Sequence, residues 1–269
     1  MKADGSIDPA VIAEDAQAWL PVRPSTERLD AGDIVLRHVG HSPQFWYGSA
    51  TRPRFDSSAS ERRISEVRRW FASQGRAEFM WMVGDSATPV DLVDRLVSSG
   101  AVFDGDDGVS RAMVLDREPP RGPENLEVRR ISSFDDYRMS MRIALEDADP
   151  ETWAATEAGL EAAWAEAARD DRMYSFLALA DGEPVAFAQL VWLTCGLPYL
   201  GGATTLRAAR GRGAFRALVR ARWDDAVRAG KSTLVVQAGH LSAPILGSLG
   251  FRTTGTVRVL RDQSARQSG

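Results

Sequence analysis

Arg210-Gly211-Arg212-Gly213 constrains the fold of this chain more than any other stretch, because it lies between an apolar, strand-like run and a long amphipathic helix pattern. Two glycines let the backbone turn tightly and approach a ligand closely, and the helix start that follows presents unpaired N–H groups and a partial positive charge. Together these features describe a cradle for a pyrophosphate. A P-loop is excluded, since the run has neither the four-residue spacing between its glycines nor the Gly-Lys-Ser/Thr ending. The dinucleotide fingerprint is excluded as well: Gly211-Arg212-Gly213-Ala214-Phe215-Arg216 ends in Arg where a third Gly is needed, and no acidic ribose reader follows on a second strand.

The 269 residues are 44% apolar and 26% charged, an ordinary globular composition with room for two domains. The first residues are acidic and have no apolar signal region, and nowhere do about 18 apolar residues run together, so a cytoplasmic protein without a membrane partner is expected. A single cysteine, Cys195, excludes an intramolecular disulfide and a cysteine-cluster metal site, and His38, His41 and His240 are too scattered for a zinc pattern. Net charge is −4 although six arginines fall from Arg207 to Arg222. A local basic cluster on an acidic chain fits a small polyanion better than a nucleic acid, so no nucleic-acid partner is expected. The competing reading is a solvated helix face on which Arg216 and Arg220 pair with Asp224 along one i, i+4 row.

Arg117-Glu118-Pro119-Pro120-Arg121-Gly122-Pro123 has no apolar period and reads as an exposed connection, which places a domain boundary between residues 119 and 120. Beyond it the order is legible. Leu126 to Ile131 alternates like a strand, Phe134–Leu145 and Glu151–Ala168 read as helices, and Tyr174–Ala180 and Val185–Leu193 form a hairpin about Asp181-Gly182-Glu183-Pro184. Leu200–Leu206 is a strand leading into the arginine-glycine run, and Phe215, Leu218, Val219, Trp223, Ala226 and Val227 form the apolar stripe of the following helix, which Gly230 ends. Thr233–Val236 is a strand, Ser242 caps a brief helix with Pro244 in its first turn, and Gly250-Phe251 opens a last strand pair.

This element order and the Arg210–Ala214 loop resemble the GCN5-related N-acetyltransferases (GNAT), whose loop pattern is Gln/Arg-x-x-Gly-x-Gly/Ala. The resemblance covers residues 126 to about 261. The N-terminal half carries a fainter echo: short strands at Ile34–Arg37, Phe45–Tyr47 and Phe79–Gly84, helices at Ser60–Ser73 and from Thr88-Pro89 to Ser99, then Gly100 and a strand at Ala101–Phe103. The fold class implied is α+β, a mixed, mostly antiparallel twisted sheet flanked by helices, in two tandem GNAT-like domains. Residues 1–119 would be a degenerate, partial copy that walls the acceptor site, and 120–269 the acyl-CoA-binding catalytic domain.

The resemblance implies acetyl-CoA as co-substrate, no metal, and an amine that attacks the thioester carbonyl, passes through a tetrahedral oxyanion and expels the CoA thiolate. In the family the pyrophosphate rests on loop amides, which here would be those of Arg212, Gly213, Ala214 and Phe215, with Arg210 and Gly211 also counted among the cofactor-binding residues; Phe215 replaces the usual Gly or Ala. The pantetheine arm pairs with the strand before the loop, which maps to Ala203, Thr204, Thr205 and Leu206. Many relatives carry a Tyr proton donor four residues before the closing Gly-Phe, where this chain has Leu246. Ser242, one turn earlier, and His240 are the replacement candidates, and Glu146 and Tyr199 are candidates for taking the ammonium proton, with Asp147 and Asp149 beside Glu146. Trp153, Trp164 and Trp192 are read as core or pocket wall, and an acyl-Cys195 is disfavoured for want of a base. The expectation is acetyl transfer to a primary amine of a small molecule by a chain compatible with a homodimer. Decarboxylation of an acyl-CoA, transfer of another acyl group and a non-catalytic CoA-binding module are the alternatives.

Overall fold

The computed structural model describes residues 7–40, 48–105 and 108–263; the strand expected at Phe45-Trp46-Tyr47 and the residue His41 lie outside them. The chain divides into two compact units, one of residues 1–114, 236–247 and 252–269, the other of 115–235 and 248–251. Compactness therefore departs from a single cut at residue 119, because C-terminal segments pack with the N-terminal half.

In the first unit the strands β1 (Thr26–Asp30), β2 (Val35–Val39), β3 (Gly48–Thr51) and β4 (Glu78–Gly84) lie side by side, antiparallel except for the parallel β3–β4 pair. Here β4 also pairs with β12 (Arg252–Gln263), which carries β5 (Val102–Phe103) and β6 (Val109–Leu115) on its other edge. The closing segment is thus one long strand with a register shift at Thr253/Gly255, not the strand pair expected from Gly250-Phe251. Helices α1 (Pro9–Glu14), α2 (Ser60–Ser73) and α3 (Leu92–Ser98) complete the unit. Its core joins Phe71 of α2, Phe79 and Trp81 of β4, Leu96 of α3 and Leu260 of β12. One buried charge anchors this core: Asp262 accepts hydrogen bonds from Trp81 Nε1 (2.8 Å) and Arg68 Nε (3.0 Å).

The second unit is a meander, β7 (Leu126–Arg130), β8 (Met173–Ala180), β9 (Glu183–Trp192) and β10 (Pro198–Thr205), each antiparallel to the next. The hairpin between β8 and β9 turns on Asp181 and Gly182, both at positive φ (54° and 83°), which matches the right-handed twist of the paired strands. One face is covered by α4 (Phe134–Ala144), whose Ile143 packs on Leu177, Leu179 and Phe187. The helix expected over Glu151–Ala168 is two, α5 (Pro150–Glu157) and α6 (Leu160–Ala167), because Gly159 interrupts an otherwise strong Ala/Glu helix former. Helix α7 (Ala214–Arg228) packs on the sheet against β7 to β10 and buries Leu218, Val219, Trp223 and Ala226 as expected. Val227 is instead exposed (46%) and Arg222 is buried (1%). Strand β11 (Leu234–Ala238) follows, parallel to β10.

The proline-rich stretch is not a free connection. Pro119 is buried and its carbonyl accepts Arg220 Nη1 (3.1 Å), while Glu118 pairs with Arg220 (2.6 Å). Four residues on, a Cβ at Gly122 would meet Ala217 Cα at 2.7 Å, and a Cβ at Gly213 would meet Pro123 Cγ at 2.5 Å. Residues 118–123 therefore run as a strap along α7 from Arg220 back to Gly213. Prolines suit this job because the strap has no strand partner to donate to and must stay extended.

In the first unit, Asp15 follows α1 and lies 2.9 Å from Arg54; its burial outweighs that partner and pushes the carboxyl up from 3.8 to about 6. The folded state then holds a proton that the unfolded chain has released, so the contribution of Asp15 to stability is greatest below about pH 4 and falls as pH rises through about 6, by roughly 3 kcal/mol at 1.36 kcal/mol per unit. Urea unfolding of the Asp15→Asn variant is expected to lose this slope between pH 4 and 6. An unchanged slope would place the pH dependence elsewhere.

Candidate functional site

Strand β10 is paired with β9 at Pro198–Leu200 and again at Ala203–Thr205, with a register shift between Leu200 and Ala203. Gly201 and Gly202 form the bulge, and a Gly-Gly pair inside a strand pattern is the signal that would have found it. On its other edge β10 meets β11 at Tyr199↔Val235 alone. Beyond Tyr199 that edge has no strand partner among the described residues, so apart from the Thr205 carbonyl, which takes Arg210 Nε, the N–H and C=O groups on it are open to an extended ligand. Ala203 is exposed, and Thr204, Thr205 and Leu206 are half-buried.

The chain then makes a 3-10 turn over Arg207–Ala209 and enters the arginine-glycine run. Gly211 (φ 76°) and Gly213 (φ 86°) are both left-handed, with Arg212 between them at negative φ. Such alternation turns successive amides towards one side, which makes an anion nest. No side chain caps α7 at Gly213, and the first i to i−4 bond is Ala217 N to Gly213 O, so the amides of Ala214, Phe215 and Arg216 have no intrahelical acceptor. Arg210, Arg212 and Arg216 are exposed around them, Arg210 bent back to the Thr205 carbonyl (3.3 Å) and Arg212 only 4.0 Å from Asp181. Phe215 is half-buried, so an aromatic at this position leaves its backbone amide in place. These residues fit a pyrophosphate: uncapped amides, a helix dipole and three exposed arginines share one short stretch, and a Cβ at Gly211 would meet nothing within 4 Å.

The corresponding stretch of the first unit is closed. There Asp56 accepts from Ser58 N (2.9 Å), so a carboxylate of the chain itself caps the 3-10 turn Ser57–Ala59 that leads into α2. The strand edge is closed too, since Phe55 N bonds Thr88 O (3.0 Å) and Thr88 N bonds Pro53 O (3.2 Å). Glu14 fills the notch at Gly84, its carboxylate accepting from Ser86 N (2.8 Å).

The four catalytic candidates are placed differently. Both carboxylate oxygens of Glu146 accept from Arg207 N (3.1 and 3.0 Å), and Asp147 pairs with the Arg207 guanidinium (2.7 Å), so the loop after α4 fastens the turn that follows β10. Glu146 thus stands one residue from Leu206, beside the open edge. Asp149 caps α5 through Thr152 N (2.8 Å), and that hydrogen bond holds its carboxyl below the usual range. Tyr199 is buried (7%) where β10 is held on both sides, about 13 Å up the strand from Ala203 at 3.3 Å per residue. His240 and Ser242 belong to the first unit. His240 is exposed, and the Ser242 hydroxyl donates to the Gly239 carbonyl (3.3 Å). Leu246 is buried (1%). The tryptophans are structural: Trp153 Nε1 bonds Glu157 (3.0 Å), Trp192 Nε1 bonds the Tyr174 hydroxyl (2.9 Å), and Trp164 packs on Tyr137. Burial pushes the Cys195 thiol up, away from a reactive thiolate.

Residues 138–251 match the model of the Acetyltransferase (GNAT) family. This part of the chain is a GNAT domain. Over nearly the whole length, the fold is similar to a GCN5-related N-acetyltransferase from Kribbella flavida (TM-score 0.70, 18% identity, 96% of each chain covered). It is also similar to a tandem GNAT protein from the clavulanic acid biosynthesis pathway (TM-score 0.59, 14% identity, 99% of this chain and 90% of that one). A GCN5-related N-acetyltransferase from Sphaerobacter thermophilus aligns over 88% of this chain and 82% of its own (TM-score 0.56, 17% identity). No curated protein matches the chain. The architecture is therefore the tandem GNAT fold. Among the described residues no group of three or more His, Cys, Asp or Glu side chains is arranged for a metal, and no helix is long and apolar enough to cross a membrane.

A Cβ at Gly213 has two penalties, positive φ and the Pro123 ring, whereas one at Gly211 has only the first. Gly211→Ala should cost about 1–2 kcal/mol and Gly213→Ala clearly more, with Pro123→Ala in the Gly213→Ala background recovering the difference. Denaturant unfolding of the four proteins checks this; equal costs at the two glycines would remove the strap from the argument.

Proposed function

We propose that the C-terminal GNAT domain is an acyltransferase that moves an acetyl group from acetyl-CoA to a primary amine of a small molecule, by direct attack on the thioester. The observation that carries this reading is the juxtaposition of an uncapped, glycine-shaped helix start with an open strand edge one short turn upstream. A CoA molecule presents a pyrophosphate followed by an amide-bearing pantetheine arm, and these two features match it in order. The loop amides hold the pyrophosphate, and the Ala203–Leu206 edge pairs with the arm. An N–H of that edge faces the thioester oxygen and stabilises the oxyanion that forms on it. Attack by the neutral amine forms the C–N bond, and collapse of the tetrahedral intermediate breaks the C–S bond and releases the CoA thiolate.

Proton transfer divides into two roles, removal of the ammonium proton and protonation of the leaving sulfur. Glu146 is engaged by the Arg207 amide and acts at most through water, as does the buried Tyr199. Ser242 and His240 are the proposed donors to the leaving sulfur. In the Ser242→Ala and His240→Ala variants, loss of turnover with unchanged acetyl-CoA affinity would give either side chain that role.

Acetyl-CoA is expected to raise the melting temperature, and a panel of primary amines to release free thiol from it. Stabilisation without turnover on any amine would favour a binding module, and carbon dioxide released from malonyl-CoA without an acceptor would select a decarboxylase. The cradle is best tested at Gly211, where a side chain meets no neighbour. Asp and Asn both tolerate the left-handed region, so Gly211→Asp should bind acetyl-CoA about tenfold more weakly than Gly211→Asn, a charge effect alone. Equal affinities would sink the cradle. Gly213→Asp is a poor test, because its Cβ would strike Pro123 whatever its charge.

A further inference from the structure

Arg222 is the largest polar side chain in the fully buried set, at 1% exposure, on the face of α7 that packs against the sheet. Among the described residues it has no carboxylate partner. Its Nε donates to the Leu218 carbonyl within the helix (2.9 Å) and its Nη1 to the Gln189 carbonyl of β9 (3.1 Å), while Nη2 is buried without an acceptor among the described residues. Burial pulls its pKa down to about 9, a measure of how poorly the site solvates a cation. A methionine or leucine would fill this space at lower cost, so the guanidinium needs a positional reason.

The register of the sheet supplies one. Ile131 N bonds Ser175 O (2.8 Å), so the backbone groups of Ser175 face β7. Gln189 lies opposite Ser175 across the β8–β9 pair and must turn its own groups to the other side, towards β10. There the ladder is interrupted: Leu190↔Leu200 and Ala188↔Ala203 bracket Gln189 on one strand against Gly201 and Gly202 on the other. The Gln189 carbonyl stands at the bulge, and Arg222 reaches it from the helix.

We propose that Arg222 is a positioning residue for the acyl donor: it locks α7 to the β9–β10 bulge, so that the helix start and the strand edge keep the spacing that one CoA molecule spans. Arg222 lies eight residues into α7 from Ala214, about 12 Å along a rigid helix. A slip at its contact with Gln189 therefore displaces the whole anion site relative to β10. The proposal rests on the acyl-CoA reading of the site and adds to it that the two subsites are coupled through this side chain.

The test is binding of acetyl-CoA and its two halves, 3′-phosphoadenosine 5′-diphosphate for the helix start and S-acetylpantetheine for the strand edge, to the full chain and its Arg222→Met variant. Calorimetry or competition by NMR reads the affinities. If Arg222 sets the spacing, each half binds the variant within about twofold of the native affinity, while intact acetyl-CoA weakens at least about tenfold, because joining two subsites helps only when both are reached at once. Parallel weakening of all three ligands would mean a merely structural role, and an unchanged acetyl-CoA affinity would mean none; either overturns the proposal. Arg222→Lys keeps the charge and one donor, so it should recover part of the acetyl-CoA affinity, and it serves as the test protein should Arg222→Met not fold. Failure of acetyl-CoA to bind the native chain would instead defeat the acyl-CoA reading itself.

Discussion

An uncapped helix start is a liability unless something other than a cap holds it in place. At Gly213 that something is the ring of Pro123, which occupies the space a Cβ would need, together with two left-handed glycines that aim the amides outward. The amides of Ala214, Phe215 and Arg216 stay open to a ligand because the backbone is fixed from behind. The strap extends this support along α7 through Ala217 and Arg220, and Glu146 fixes the turn upstream through the Arg207 amide. The site is built almost wholly from backbone groups, and the charged side chains around it serve mainly to hold that backbone.

The first unit shows the same kind of strand-turn-helix step with the opposite solution. Asp56 supplies the negative charge that a phosphate would bring, and hydrogen bonds between Pro53–Phe55 and Thr88 close the edge that would take an extended ligand. The two units thus treat the backbone ahead of a helix differently, one leaving its amides open and the other filling them with its own side chain.

Much of this was legible in the sequence where a residue type has one physical reading. Helix α2 falls on the expected bounds, and the glycine run, the strand before it and the helix after it are where periodicity and turn chemistry place them. Misreadings arose where one composition serves two structures. Proline-rich polar chain describes both a free linker and a strap, and only the packing of Gly122 and Pro123 on α7 distinguishes them. Arg222 reads as a surface cation by type, although its place at i+4 from Leu218 and i−4 from Ala226 lies on the buried stripe. Position was the better guide than polarity. The Gly201-Gly202 bulge was also available as a signal, whereas the burial of Tyr199 and the use of Glu146 as a clamp depend on contacts far apart in the chain.

Leucine at the place where many relatives carry a tyrosine is less damaging to acyl transfer than it looks. A thiol with a pKa near that of cysteine, about 8.5, is only about 1.5 units above neutral, so protonating the leaving thiolate is worth roughly 2 kcal/mol at pH 7. An alkyl ammonium near 10.4 is about 3.4 units above neutral, and making it nucleophilic costs roughly 4.6 kcal/mol. The larger demand therefore lies with the base. The carboxylates of the loop after α4 are already committed, Glu146 to the Arg207 amide, Asp147 to the Arg207 guanidinium and Asp149 to Thr152. Carboxylates in those roles suit the attraction of a cationic amine and the receipt of its proton through water rather than by direct contact. On these magnitudes the chain can dispense with a strong general acid provided its acceptor arrives with a depressed amine pKa or loses its proton to water held by these anions.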